Sequence, residues 1–328
     1  MSIELSCAVV LLLLSLLLLV APLLLVAPQQ PLGELILNLK PTLLEQALLD
    51  EWQAALAAQR TRLEAALAHP LLPSPATFGA AFADVEVDLQ LPPSLLKISG
   101  YDADITGQRA VAFAPLLQAR GCLMYGAGIA TDGKFEDFVA SEVGCEVHGF
   151  DCTLTGSELA AARARYNFTI HSVCIGRLTN AIGGDYVRGK VGLQFVGLAD
   201  AKRELGHGGR VLDVLKFDIE GGEWGLLESE VLLPGIPDSQ LPKQLMFELH
   251  TEGANTAFVN PQAVKGKGRR EVAALFLKLL SRGFRVASKI VNGGDDKCAD
   301  FILVREPPSA EQVGVASRHR GSTHSPWD

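Results

Sequence analysis

Basic residues are too few in this sequence for a surface that binds nucleic acid. Its 328 residues include 29 Lys and Arg against 37 Asp and Glu, which gives a formal net charge of -8. Because phosphate binding requires an excess of Lys and Arg on one face, this balance argues against a nucleic-acid partner. The basic cluster at residues 265–270 is short and is typical of a solvated loop before a helix.

Charged residues of both signs are also scarce, at 20% of the chain, whereas hydrophobic residues make up 48%. A disordered chain has the opposite composition, so disorder is excluded as the main state. The length is sufficient for one large domain or two small ones with a sizeable core.

No Lys or Arg precedes Lys40, and this absence distinguishes the N-terminus from an ordinary cleaved signal peptide, which begins with a basic segment. Residues 8–27 form an apolar run long enough to cross roughly 30 Å of hydrocarbon. Leu25 stands where a small residue would favour cleavage after Ala27. We therefore predict that residues 1–28 are an uncleaved signal anchor of a single-pass membrane protein with its globular domain in the endoplasmic reticulum or Golgi lumen. Cleavage would instead make the protein secreted.

The six cysteines match no zinc-binding spacing. The five that follow the apolar segment cannot all pair within one chain. Cys145 and Cys152 stand at the two ends of one predicted strand, too far apart to bond with each other. We expect buried free thiols, and the sequence leaves any pairing open.

Hydrophobic periodicity divides the remaining chain. Apolar residues at three- and four-residue steps from Leu44 to Ala66 predict a helix, which either self-associates as a stem or packs on the following domain. Three prolines within residues 70–75 then indicate a linker. We assign residues 29–89 to this helical stem and linker, 90–306 to the globular domain and 307–328 to a disordered tail.

Seven short β-rich runs alternate with helical segments across the globular domain. This alternation predicts an α/β fold in which a mostly parallel sheet is covered by helices on both faces. Ligands of such sheets bind at the carboxyl ends of the strands.

The first of these strands ends in YGAGIATDG, a loop rich in glycine. Gly126 and Gly128 would allow a tight turn and close approach of a ligand. The spacing of the glycines differs from the dinucleotide fingerprint, which counts against a dehydrogenase. Asp151 follows the second strand, where an acidic residue can accept hydrogen bonds from both ribose hydroxyls, although Asp151 could also cap a helix.

Carboxylates and one histidine end the fourth and fifth strands. Asp218 is the leading reaction-site candidate, as a base or an orienting group, and Glu220 on the following turn is a pocket candidate. Glu248 and His250 point to the same side of their strand, where the imidazole could act as a general base. Glu223 is more typical of an acidic helix start. We expect no metal, although Asp218, Glu248 and His250 together could hold a divalent cation.

Four segments carry a resemblance to a known family: YGAGIATDGKFEDFVASEVGCEVHGFDCT, VLKFDIEGGEWGLL, QLMFELH and ADFILVR. They resemble the FkbM-type S-adenosylmethionine-dependent methyltransferases, and in particular the membrane-anchored eukaryotic methyltransferase-like subgroup, over about residues 95–306. The most specific piece is residues 216–224, which is similar to the family signature Lys-Ile-Asp-(Val/Ile)-Glu-Gly-x-Glu.

The resemblance implies a Rossmann-like, seven-stranded class I methyltransferase sheet with an antiparallel last strand, and S-adenosylmethionine as cofactor. Tyr125, Gly126 and Gly128 would line the methionine end of the cofactor, and Asp151 would hold the ribose. Glu136, with its neighbour Asp137, either contributes to this site or lies on a solvated helix face, which is the role that we favour.

The sequence is compatible with two functions. The first is O-methylation of a sugar or another small hydroxylated acceptor, which requires the acceptor oxygen to lie about 3 Å from the methyl carbon and to lose its proton. The second is a catalytically inactive, membrane-tethered binding protein that keeps the fold. The expected partners are a small-molecule or glycan acceptor and the membrane, and the oligomeric state is not indicated.

Overall fold

A computed structural model describes residues 54, 57–65, 67–68, 79–87, 96–98, 110–112, 114, 117, 121–176, 193–255, 257 and 259–305. The predicted signal anchor and the predicted disordered tail lie outside the described residues. Among those residues, no helix combines the length and the apolar character needed to cross a membrane. The chain divides into residues 1–53 and residues 54–328, and the described residues all belong to the second unit.

The described strands, in chain order, are β1 Leu96–Ile98, β2 Ala110–Ala112, β3 Leu123–Ala127, β4 Glu146–Phe150, β5 Thr169–His171, β6 Cys174–Ile175, β7 Phe195–Val196, β8 Val214–Phe217, β9 Gln244–His250, β10 Phe284–Val291 and β11 Cys298–Arg305. Among the described residues, the α-helices with defined bounds are α1 Lys134–Phe138, α2 Gly156–Arg165, α3 Leu198–Glu204, α4 Glu223–Leu226 and α5 Arg269–Ser281. Short 3-10 helices lie at Ala80–Phe82 and Asp238–Gln240. Helices α1 and α4 continue into π-helical turns at Val139–Val143 and Leu227–Val231.

Seven strands form one sheet in the order β10-β11-β9-β8-β3-β4-β5. The five strands from β9 to β5 pair in parallel, whereas β11 is antiparallel to both of its neighbours. Every residue of β3, β8 and β9 is buried, which explains why these strands are nearly continuous hydrophobic runs. The predicted seven-stranded sheet with an antiparallel last strand is confirmed.

Alternating side chains of the central strands supply two hydrophobic cores. Leu215 and Phe217 belong to the larger core, which also contains apolar residues of α3, α4 and α5. Met124 and Val214 belong to the second core, which contains residues of α1. Because successive side chains of a strand point to opposite faces, helices cover the sheet on both sides, as predicted.

The compact unit begins earlier than the predicted domain start near residue 90. Residues 57–65 are helical, as the periodicity predicts, and Leu63 is fully buried in the larger core. Phe82 and Val85 belong to the same core. This burial favours the second alternative for the helix, in which it packs on the globular domain.

The expectation of buried free thiols is wrong for four cysteines. Cys122 bonds to Cys145, and Cys152 bonds to Cys174, with Cα atoms 4.6 and 4.8 Å apart. Cys145 and Cys152 are indeed not bonded to each other, because each pairs with a cysteine of an adjacent segment. Cys298 is a buried free thiol.

We expect loss of the disulfide between Cys122 and Cys145 to lower the free energy of unfolding by about 3 kcal/mol. The bond closes a loop across 23 residues, and cross-linking such a loop removes conformational entropy from the unfolded chain. Denaturant unfolding of the Cys122→Ser/Cys145→Ser variant would measure the loss. Thiol titration of the denatured, unreduced protein should leave four of the six cysteines unreactive. Six reactive thiols would contradict both the pairing and the predicted loss.

Candidate active site

The glycine loop after β3 packs closely between the ends of β4 and β8. The amide of Gly128 donates to the carbonyl oxygen of Phe150 at 3.0 Å, and the amide of Asp218 donates to that of Ala127 at 3.1 Å. Gly128 has a φ of 72°, and a Cβ added there would lie 1.7 Å from the carbonyl oxygen of Asp218. Glycine is therefore required at position 128 by the protein's own backbone, before any ligand is considered.

A buried ion pair lies beneath this loop. Glu136 of α1 is fully buried, and its Oε1 is 3.2 Å from the Nζ of Lys216, whose side chain is 5% exposed. A Cβ at Gly126 would lie 2.7 Å from the same Oε1, so the missing side chain of Gly126 makes room for the carboxylate. Our expectation that Glu136 lies on a solvated helix face is wrong. Asp137, which is partly exposed, instead accepts a hydrogen bond from the amide of Asn167.

Asp151 lies directly after β4, and its carboxylate is engaged by the chain itself. Oδ2 accepts a hydrogen bond from the amide of Ala130 at 2.7 Å, and Oδ1 accepts from the amide and the hydroxyl of Thr153. Ala130 has a φ of 44°, a left-handed conformation that is uncommon for alanine. Asp151 therefore stabilises the strained loop after β3, and it lies at the same edge as that loop.

Tyr125 contributes little more than its backbone to this edge. Its side chain is fully buried, and its hydroxyl lies 2.7 Å from Nδ1 of His207. Leu123 and Ala127 of the same strand belong with it to the larger core, as alternation along a strand requires. A contact of Tyr125 with the methionine end of a cofactor would therefore come from its main chain.

Glu223 holds the turn that follows β8. Its Oε1 accepts a hydrogen bond from the amide of Ile219 at 2.9 Å, and its Oε2 accepts from the amide of Gly221, also at 2.9 Å. Glu220, within this turn, has a φ of 56°. Glu223 is also the first residue of α4, as predicted, but its carboxylate folds back on the turn and keeps Glu220 in its strained conformation.

His250 lies at the centre of a group of carboxylates. Its Nε2 is 3.4 Å from Oε2 of Glu220 and 3.7 Å from Oε2 of Glu248, and its Nδ1 is 3.3 Å from Oε2 of Glu223. The side chain of His250 is 4% exposed, that of Glu223 is fully buried, and that of Glu220 is 40% exposed. Glu220 is thus the member of this group that reaches solvent.

Burial and mutual repulsion change the proton affinities of this group. Burial, followed by the charge of Asp218, raises the pKa of Glu220 to about 8. The same two causes raise the pKa of Glu248. Burial alone would lower the pKa of His250, but the charge of Glu223 and a hydrogen bond with Cys298 raise it well above its ordinary value. The raised pKa of His250 favours the protonated imidazole, and the raised pKa values of Glu220 and Glu248 favour protonated carboxyl groups.

Several residues of this edge are not indicated by the local sequence pattern. Asn292 donates a hydrogen bond to Oε1 of Glu248 at 3.0 Å. Cys298 and Asp300 of β11 lie directly opposite His250 and Glu248 in the antiparallel pairing with β9. Their position depends on a pairing between distant segments, although the polar residues at the start of the last strand were a usable signal.

Asp218, Glu220, Glu248 and His250, the four predicted residues of the reaction site and pocket, therefore meet at one edge of the sheet. Asp218 and Glu248 also line a small cavity on the face of the sheet that carries Met246. The donor atoms of Asp218, Glu220 and His250 lie within 4.8 Å of one another, as do those of Glu248, His250 and Cys298. These spacings are compatible with the alternative of a cation at this edge, and equally with hydrogen bonding alone.

The strand order, the glycine loop and an acidic cluster at the carboxyl edge define an α/β protein of the methyltransferase class. The sequence profile of a family described as "Methyltransferase domain" matches residues 108–305. The chain belongs to this family. A search of the curated proteins finds no match.

Several solved structures show a distant likeness to this chain. A 16S rRNA (adenine(1408)-N(1))-methyltransferase from Catenulisporales acidiphilia, with its cosubstrate SAM, is 15% identical over 65% of this chain and 98% of its own, with a TM-score of 0.31. The fibrillarin/NOP5P complex is 13% identical over 64% of this chain and 93% of its own, with a TM-score of 0.31. A mutant of MtNAS is 12% identical over 58% of this chain, with a TM-score of 0.26, and the chain spans 57% of its length. Likenesses at this level carry no information on the ligand or the reaction of the present chain.

Proposed function

We propose that the protein transfers the methyl group of S-adenosylmethionine to a hydroxyl oxygen of a sugar or another small hydroxylated acceptor. The observation that carries this proposal is the meeting of the glycine loop, Asp151 and the carboxylate group around His250 at one sheet edge. Membership of the methyltransferase-domain family supports the transfer of a methyl group. The cofactor would lie across the ends of β3 and β4, close to Asp151.

The carboxylate group supports oxygen as the acceptor atom. A hydroxyl must lose its proton during transfer, and a carboxylate whose pKa lies near neutrality is suited to receive it. Glu220 has this property and reaches solvent, so it is the proton acceptor that we favour. The raised pKa of His250 favours the protonated imidazole, so its role in this proposal is to position Glu220 and Glu248. In this proposal Glu220, and not His250, has the general-base role.

We also propose that the protein belongs to the membrane-anchored FkbM-type subgroup and acts in the lumen of the secretory pathway. The apolar residues 8–27 support an anchor. Two disulfides support an oxidising compartment, because cytosolic thiols are kept reduced. The side chain of Asn167, in the sequon Asn167-Phe168-Thr169, is exposed and so accessible to glycosylation.

Calorimetry of the full chain with S-adenosylhomocysteine tests the cofactor. We expect one binding site, and we expect Asp151→Ala to weaken binding at least tenfold, because it removes acceptors for the ribose and releases the loop at Ala130. Glu204→Ala at the exposed end of α3 is the matched control and should bind like the wild type. Absence of binding by the folded wild type would overturn the proposed cofactor.

Turnover is tested separately from binding. Transfer of a labelled methyl group to a glycan extract should occur with the wild type. Binding of S-adenosylhomocysteine without any transfer would favour the second function, a binding protein that has the fold but no activity.

A further inference from the structure

A second group of metal-ligating side chains lies at the opposite end of β4 from Asp151. Glu146 is the first residue of β4, and His148 is two residues further on the same strand. His207 follows α3 and reaches the same place from the other side. The side chains of His148 and His207 are 11% and 8% exposed, and that of Glu146 is 45% exposed. The proposed function uses none of these three residues.

One oxygen of Glu146 faces both imidazoles. Oε1 is 3.2 Å from Nε2 of His148 and 3.0 Å from Nε2 of His207. The three donor atoms lie within 4.8 Å of one another. Two ligands of a tetrahedral zinc ion are about 3.3 Å apart when each lies about 2.0 Å from the metal. The group therefore already has nearly the spacing of a metal site.

The outer nitrogen of each imidazole is also fixed by a partner. Nδ1 of His207 lies 2.7 Å from the hydroxyl of Tyr125, and Nδ1 of His148 lies 3.0 Å from Nε2 of His171. Such partners set the tautomer and the ring orientation of metal-bound histidines, leaving Nε2 directed at the ion. The second oxygen of Glu146 is held by Arg210, which leaves Oε1 as a single, oriented ligand atom.

We propose that Glu146, His148 and His207 bind a divalent transition-metal ion, with zinc as the ion that the ligand set favours. Two imidazoles and one carboxylate suit zinc, whereas magnesium and calcium prefer sites built of oxygen alone. Water completes the coordination on the open side of Glu146. The ion joins β4 to the segment between α3 and β8, and it is a structural ion remote from the reaction edge.

The full chain, treated with chelator, dialysed and titrated with ZnCl₂, tests this site. We expect uptake of one zinc ion per chain and a rise in the temperature of thermal unfolding, because zinc binds the folded state. Loading with cobalt(II) in place of zinc should give the visible absorption of a four-coordinate ion. If the folded wild type takes up no zinc, or if cobalt gives only the spectrum of the hydrated ion, the proposal is overturned.

Variants then locate the ion. His207→Gln and Glu146→Gln should each lower zinc affinity at least tenfold and abolish the zinc-dependent rise in unfolding temperature. Glu158→Gln is the control for an exposed carboxylate and should bind zinc like the wild type. His250→Gln should also retain the ion. Loss of zinc in His250→Gln with retention in His207→Gln would place the ion at the reaction edge and overturn this proposal. If His207→Gln does not fold, the Glu146→Gln result and the cobalt spectrum of the wild type decide.

Discussion

Asp218→Asn is expected to lower kcat/KM for methyl transfer at least 100-fold while the affinity for S-adenosylhomocysteine changes less than threefold. Asp218 lies directly after β8, beside Glu220 and His250, and it lines the small cavity next to Glu248. With Glu220 as the proton acceptor, the role of Asp218 is to orient the acceptor hydroxyl, and loss of such positioning costs about 10²-fold in rate. Asn keeps the shape of Asp while removing the charge. Initial rates with labelled S-adenosylmethionine and calorimetry would measure the two quantities.

The pH dependence of kcat/KM tests the role of Asp218 independently. A proton acceptor works in its deprotonated form, so wild-type kcat/KM should rise with pH through about 8, as Glu220 loses its proton. The charge of Asp218 is one of the causes that raise this pKa. Asp218→Asn should therefore shift the rise in kcat/KM to lower pH. Glu220→Gln should abolish this pH-dependent rise.

Three outcomes would contradict this account. Equal rates for Asp218→Asn and the wild type would remove Asp218 from the reaction site. A loss of S-adenosylhomocysteine affinity as large as the loss of rate would make Asp218 a cofactor residue. If kcat/KM of Glu220→Gln still rises with pH through about 8, a different group accepts the proton.

The sheet and the clustering of the candidate site residues at one edge could be predicted from sequence because both depend on local patterns. The strands β3, β8 and β9 are buried on both faces, and such strands are recognisable as short apolar runs. Polar residues that follow buried strands of a parallel sheet must meet at one edge, which is why Asp218 and His250 were found together.

The roles that escaped prediction depend on contacts between distant segments. Glu136 stands in the first turn of a short helix, like an ordinary solvated acid, and its burial follows only from its fit against Gly126 and Lys216. The family resemblance implies that Tyr125 lines the methionine end of the cofactor. Alternation along β3 turns its side chain into the larger core, so such a contact would come from the main chain.

The disulfides could have been approached from strand adjacency. Cys122 directly precedes β3 and Cys145 directly precedes β4, and the pairing of Leu123 with Glu146 brings the two cysteines together. Spacing along the chain excluded a bond between Cys145 and Cys152, but it does not show which strands are neighbours. The pairing becomes evident only when the strand order is known.

The second large effect concerns stability. Lys216→Met and Glu136→Gln are each expected to lower the free energy of unfolding by about 3 to 5 kcal/mol, because each leaves the partner as a buried, uncompensated charge. The pair is almost completely shielded from solvent, with side-chain exposures of 5% and 0%. Denaturant unfolding of each variant would measure the loss. The exposed pair of Lys134 and Asp132 is the matched control, and Lys134→Met should cost less than about 1 kcal/mol.

The double variant Lys216→Met/Glu136→Leu separates the penalty of a lone charge from the value of the pair itself. Replacing both members of a buried ion pair by apolar residues is often nearly neutral, so the double variant should be more stable than either single variant. Because Gly126 is shaped around the carboxylate, the double variant should nevertheless disturb the loop after β3 and weaken S-adenosylhomocysteine binding. If Lys216→Met and Glu136→Gln lower the free energy of unfolding no more than Lys134→Met does, water reaches the buried pair. A double variant with full stability and full cofactor affinity would show that the pair does not support the loop.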